Sequence, residues 1–125
     1  MPAKEIKPAK EIEAYQTMSR IEDKLDEYIR GFPRYDRFTT GEYMSSLCRD
    51  IMENLLMAYS VPEERYTCLR RCEAKFTLLE HYIKKCNRRK ILPLKKIALL
   101  AVEQEAFGRQ LTGWIMRTRE KEHKE

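Results

Sequence analysis

Apolar residues recur along this chain at alternating spacings of three and four, in four separate segments. Ala14, Met18, Ile21, Leu25, Tyr28 and Phe32 form the first row, the a/d seam of a bundle helix predicted from about Ala9 to Arg30. Its other faces are acidic, Gly31 is a fitting C-terminal stop, and Pro33 blocks continuation. After the link from Phe32 to Phe38, Thr39 or Thr40 can cap a second helix running to about Tyr59, and Thr39 precedes Glu42 at capping-box spacing. Its stripe of Met44, Leu47, Cys48, Ile51, Leu55, Ala58 and Tyr59 is widened by Met52 and Leu56, the mark of a helix buried on two sides. Val61-Pro62 interrupts the pattern. A third helix follows from about Pro62 to Asn87, around Leu69, Cys72, Phe76, Leu79, Ile83 and Cys86. A fourth starts near Leu92-Pro93 and reaches about Arg117, with Ile97, Leu100, Ala101, Phe107, Leu111, Trp114 and Ile115 on its inner side. Gln104 falls on that side too, as a polar residue that fixes pairing register.

Four helices of roughly 20 residues with short links predict an all-α, antiparallel up-down-up-down four-helix bundle over residues 9–118. Composition agrees: of 125 residues, 36% are charged, 42% are hydrophobic and only four are Gly. Residues 1–8 read as a flexible arm. The repeat Pro2-Ala3-Lys4-Glu5-Ile6 and Pro8-Ala9-Lys10-Glu11-Ile12 begins there, and its second copy leads into the first helix. Residues 119–125 read as a charged, frayed tail. No apolar run approaches the roughly 20 residues that span a bilayer, and the N-terminus lacks an apolar signal region. The expectation is a soluble cytoplasmic protein with no membrane partner.

Little in the chain suggests catalysis. The Glu-x-x-His pairs of di-metal bundles are missing, as is a phosphate-cradling Gly loop, and Ser45, Ser46 and Ser60 have no His nearby in sequence. Cys48, Cys68, Cys72 and Cys86 are expected as small buried thiols, although Cys68 and Cys72 stand i,i+4 as two metal ligands would. No cofactor, metal or enzymatic activity is expected.

Charge is more informative. The net charge is +5, and residues 62–91 carry nine Lys/Arg against four Asp/Glu, whereas residues 11–31 carry three against six. On the third helix, Arg70, Lys84 and Arg88 share one stripe, while Arg71, Lys75, Lys85 and Arg89 form a neighbouring one. Lys90, Lys95 and Lys96 extend the positive region around the following turn. Such a set binds phosphates without reading bases; a solvated Lys/Arg-rich face is the alternative. Tyr35 and Phe38 in the first link are open to base stacking, but packing across the bundle end is the expectation.

Glu105-Ala106-Phe107-Gly108-Arg109-Gln110-Leu111-Thr112-Gly113-Trp114 holds the single Trp and two helical glycines. Each glycine costs about 1 kcal/mol relative to Ala, so each is expected where a neighbour comes close. Trp114 is expected in the core or at an interface, with Arg109 on the outer side. Gly108, Arg109, Gly113 and Trp114 form the candidate partner interface.

Three stretches together resemble a known family. They are Phe32-Pro33-Arg34-x-x-Arg37-Phe38-x-x-Gly41, Arg65-x-x-x-Leu69-Arg70-x-x-x-x-Lys75, and Phe107-Gly108-Arg109-x-Leu111-x-Gly113-Trp114. The chain resembles the Avd proteins, the accessory variability determinants of diversity-generating retroelements. These belong to a wider group of four-helix proteins encoded in ribosomal RNA intervening sequences. The resemblance covers about residues 14–118; Thr112 stands where a smaller residue is more usual. It implies a homopentameric four-helix bundle with a basic surface and no active site, which binds the element's reverse transcriptase and RNA or DNA to support mutagenic copying of a template RNA. A structural or regulatory interaction module of the intervening-sequence type, without a nucleic-acid role, is the other reading.

Overall fold

The computed structural model describes residues 9–124; the expected arm over residues 1–8 lies outside them. Four long helices carry the fold: α1 (Ala9–Arg30), α3 (Glu42–Ser60), α4 (Arg65–Arg88) and α5 (Leu94–Lys124). A single helical turn, α2 (Arg34–Asp36), lies in the first link. α1 packs on α3 and α5, and α4 also packs on α3 and α5, so the long helices ring a common core. α3 and α5 therefore face each other diagonally. The described residues are all-helical in fold class, with no strand among them. No described helix is long and apolar enough to cross a membrane.

The predicted seams meet in that core. Ala14, Met18, Ile21, Leu25, Tyr28 and Phe32 are buried from the first segment, as are Leu69, Cys72, Phe76, Leu79, Ile83 and Cys86 from the third. Phe76 meets Phe107 edge-to-face at 4.7 Å between ring centroids, which joins α4 to α5. Gln104 donates to Glu80 at 3.1 Å across the same helix pair, the register contact expected of it. Two inner positions fail. Ala101 is exposed on α5 and Leu56 is half exposed on α3. Both lie at the margin of a stripe too wide for the two neighbours each helix has within this chain.

The first link is not a loop. Pro33, at φ −52° and ψ 148°, starts α2, and a π-helical turn over Arg37–Gly41 carries the chain into α3 without a break. The capping box at Thr39 is therefore absent. Helical backbone already occupies the positions before Glu42, so no orphan N–H groups need a cap. The Thr39 hydroxyl instead donates back to the Tyr35 carbonyl at 2.7 Å. The second link behaves more as expected, with a 3₁₀ turn over Pro62–Glu64. Arg65 donates to the Ala58 and Tyr59 carbonyls at 2.6 and 3.2 Å and so closes the C-terminus of α3. At the far end, α5 does not stop at Arg117 but continues to Lys124. Thr118 is buried and donates to the Trp114 carbonyl, and the charged residues beyond it are good helix formers.

The glycine that permits close approach is Gly41, not Gly108 or Gly113. A Cβ at Gly41 would lie 2.7 Å from Ile29 Cγ2 and 3.2 Å from the Asp36 carbonyl oxygen. At Gly108 it would meet nothing within 4 Å, and at Gly113 only the Arg117 guanidinium of the same helix at 3.1 Å. Among the described residues, no neighbouring element explains either helical glycine of α5. Gly41→Ala is expected to destabilise the fold by about 1–3 kcal/mol through overpacking, while Gly108→Ala stabilises it by about 1 kcal/mol. Chemical denaturation of both variants checks this pair of opposite signs.

Candidate nucleic-acid interface

Residues 84–96 hold seven Lys/Arg and no carboxylate. They surround the turn between α4 and α5. Ile91 N–H donates to the Cys86 carbonyl at 3.0 Å and Lys90 N–H to the Asn87 carbonyl at 2.9 Å, the double bond of a left-handed helix cap. Asn87 adds a side-chain bond to the Leu92 carbonyl, and Leu92 is buried beneath the turn. The residue in the left-handed position is Lys90, at φ 63°. Such a site ordinarily takes Gly, because a Cβ there costs about 1–2 kcal/mol. A cation occupies it instead, and its side chain is exposed.

The first link docks against this turn. Asp36 is 6% exposed, and its Oδ1 lies 2.9 Å from Arg89 Nη2. The two atoms meet in charge contact without the alignment of a hydrogen bond. Lys85 Nζ lies 5.6 Å from the Tyr82 ring centroid and Lys96 Nζ 4.9 Å from that of Tyr28, so both ammonium groups sit against rings of this chain. Lys84, Arg88, Lys90 and Lys95 are exposed. Among the described residues their side chains have no ion-pair, hydrogen-bond or ring partner.

The predicted basic set therefore divides. Arg70 lies about 27 Å along the α4 axis from Arg88 at 1.5 Å per residue, and it pairs with Glu73 at 2.9 Å and donates to the Tyr66 hydroxyl at 3.0 Å. The Tyr66 bond is the main cause that pushes its guanidinium pKa up. Lys75 pairs with Asp50 on α3 at 2.9 Å. Arg71 is exposed beside a groove that Glu53 and Glu64 also line. Arg70, Arg71 and Lys75 thus sit among carboxylates, away from the cluster at residues 84–96. The docking adds cations that the spacing along α4 does not reveal. Arg34 and Arg37 flank Phe38, with guanidinium carbons 6.0 and 5.2 Å from its ring centroid. Tyr35 and Phe38 do not pack across the bundle end, as expected of them; they are 70% and 66% exposed. The helical path of the link turns their side chains outward while Asp36 and Phe32 face in. The available signal was Arg34-Tyr35-Asp36-Arg37-Phe38 itself, where aromatics alternate with arginines off any apolar seam.

The candidate partner residues are spread along α5. Trp114 is buried in the chain's own core, so of its two expected places it takes the first. Arg109 is exposed and pairs with Glu105 at 2.8 Å, and Gly108 and Gly113 are half-buried. All four cysteines are free and buried. Burial pushes the Cys48 and Cys72 thiols up to about 12, with Glu22 and Asp26 adding to the shift at Cys48 and Cys68 to that at Cys72. Cys86 rises to about 11 through burial and nearby Asp36, against Arg89 and Lys85. Cys72 donates to the Ile51 carbonyl at 3.5 Å. Among the described residues, no three His, Cys, Asp or Glu are placed to share a metal ion.

Three outcomes follow from this geometry. Lys90→Gly is expected to raise stability by about 1 kcal/mol. Arg89→Ala is expected to lower it by about 1–3 kcal/mol, because Asp36 is left buried without its charge partner, whereas Arg88→Ala changes little. Because the folded chain holds the Cys48, Cys72 and Cys86 protons more tightly than the unfolded chain, stability should fall as pH rises above the ordinary thiol value of 9.0 toward about 12. Denaturation of the variants and of the parent across pH 7–11 measures all three.

Comparison of the chain with family models, with curated proteins and with solved structures finds no match.

Proposed function

We propose that this protein is a non-catalytic, nucleic-acid-binding accessory subunit of a diversity-generating retroelement, an Avd-type partner of the element's reverse transcriptase. The observation that carries the reading is the exposed group of Lys84, Arg88, Lys90 and Lys95, unpartnered among the described residues, with Lys90 held in a backbone conformation that favours Gly. Strain retained at an exposed cation is typical of a functional site. Phosphate groups are the partner such a cluster fits, and the contacts carry no preference between RNA and DNA. The protein acts in the cytoplasm beside the polymerase.

The bundle is up-down-up-down in this reading. α3 and α4 approach through Ala58 with Arg65, Ile51 with Cys72 and Asp50 with Lys75. α4 and α5 approach through Phe76 with Phe107 and Glu80 with Gln104. α1 and α5 approach through Arg20 with Glu103 and Tyr28 with Lys96. In each pair the numbers run in opposite directions. Assembly is supported by apolar surface on the two diagonal helices. Leu56 and Met57 are 49% and 47% exposed on α3, and Leu94, Leu99 and Val102 are 73%, 50% and 68% exposed on α5. Two unlike apolar surfaces on opposite sides suit a head-to-tail contact that closes into a ring, and a homopentamer is the ring proposed. The same exposed apolar face on α5 favours the second reading, a protein-interaction module of the intervening-sequence type without a nucleic-acid role.

The readings separate in solution. Lys84→Glu, Arg88→Glu, Lys90→Glu and Lys95→Glu combined should weaken RNA or DNA binding roughly tenfold or more. The log–log salt slope should flatten by about 0.7–0.9 for each phosphate that the variant no longer neutralises. Arg89 is kept in that variant because it holds Asp36. Light scattering should give a mass near five times the 15.0 kDa chain. Unchanged affinity and slope favour the interaction module; a stable monomer at micromolar concentration removes the pentamer.

A further inference from the structure

The cleft beside Phe38 has a volume of about 460 Å3 and runs between α1 and the start of α3, within the size range of small-ligand sites. Phe38 forms one wall, and Arg30 and Arg37 bring cations to it. Asp26, Glu42 and Ser45 line it as well, side chains that carry oxygen acceptors. Glu42 is only loosely held, with Arg49 Nη2 at 3.3 Å from its Oε1. Tyr35 is 70% exposed and lies three residues before Phe38 on the same continuous helical stretch. The Asp36–Arg89 contact joins this aromatic cap to the cation cluster at residues 84–96.

Carboxylates in the cleft argue against a phosphate inside it. They fit groups that donate hydrogen bonds, such as the exocyclic amines of nucleobases. An exposed ring with guanidinium groups at 5.2 and 6.0 Å fits a base stacked on its face and a backbone phosphate beside it. A duplex offers neither its base faces nor its pairing edges. From this juxtaposition we propose that Phe38 and Tyr35 form a stacking platform for unpaired bases of a single strand, whose amines enter the cleft and whose phosphates continue onto Lys90 and Arg88. The proposal rests on the reading of the basic end as a nucleic-acid site. It adds that the strand bound there is single.

The test compares a single-stranded 20-mer containing adenine and cytosine with the duplex of the same sequence, by fluorescence anisotropy on the full chain. Wild-type protein should bind the single strand more tightly. Tyr35→Ala/Phe38→Ala should lose roughly tenfold or more on the single strand, the scale of one stacked base, and little on the duplex. Phe38→Trp should retain single-strand affinity. Both substituted residues are exposed, so the thermal midpoint should stay close to that of wild type. Equal wild-type affinity for the two forms, or a loss shared by both, overturns this proposal and leaves nucleic-acid binding standing. A change of mass in light scattering without a change in binding makes the cap a protein interface and overturns it as well. Binding of neither form by wild-type protein overturns the broader functional reading with it.

Discussion

Asp36 is nearly buried, and the only described cation within ion-pair distance of it is Arg89. A carboxylate in that position needs a charge partner, because an isolated buried charge costs several kcal/mol. That requirement fixes the first link against the turn between α4 and α5. The approach is possible because Gly41 lets the chain pass close to Ile29. Phe32 and Asp36 then face the core, and Arg34, Tyr35, Arg37 and Phe38 are left around the outside. The basic end is thus a joint product of two segments about 50 residues apart in sequence, tied by one charge contact.

The charge on α4 is not a uniform face. Near its start the cations serve the fold: Arg65 closes the end of α3, Arg70 pairs within α4, and Lys75 reaches Asp50. Exposed pairs of this kind contribute at most about 1 kcal/mol each, but they leave little free positive charge for a ligand. Near its end, cations crowd a tight turn where Asp36, through Arg89, is the one carboxylate paired with them among the described residues, at some cost in mutual repulsion. The left-handed Lys90 adds to that cost. A fold selected for stability alone would place Gly there, and the retained strain is the physical argument for a partner that supplies negative charge.

Periodicity made the core legible. The rows of α1 and α4 were buried residue for residue, since an a/d seam in a bundle leaves each position one fate. It was less decisive on α3 and α5, where Leu56 and Ala101, read as part of the apolar stripe, are exposed. The first link misled because Thr39 and Glu42 satisfy a capping pattern that matters only if the chain before them is not helical. Pro33 had already restarted the helix. The glycines of α5 show a related limit: their cost is visible in sequence, but the neighbour that would explain it is not, and none of the described elements supplies it. Most of the basic cluster was legible as composition. Which cations were free was not, because Asp50 and Glu73 pair with Lys75 and Arg70 through contacts that charge counts along the chain do not separate.

The central claim is that polyanions bind at the turn between α4 and α5 and not along the whole of α4. Differential acetylation of lysines, with and without a bound single-stranded oligonucleotide and read by mass spectrometry, tests it at residue level. Lys84, Lys90 and Lys95 should be protected on binding, while Lys24 on α1 and Lys75 on α4 keep the reactivity they have in the free protein. Protection of Lys75 equal to that of Lys90, or no protection at Lys84, Lys90 and Lys95 under saturating oligonucleotide, would contradict the account.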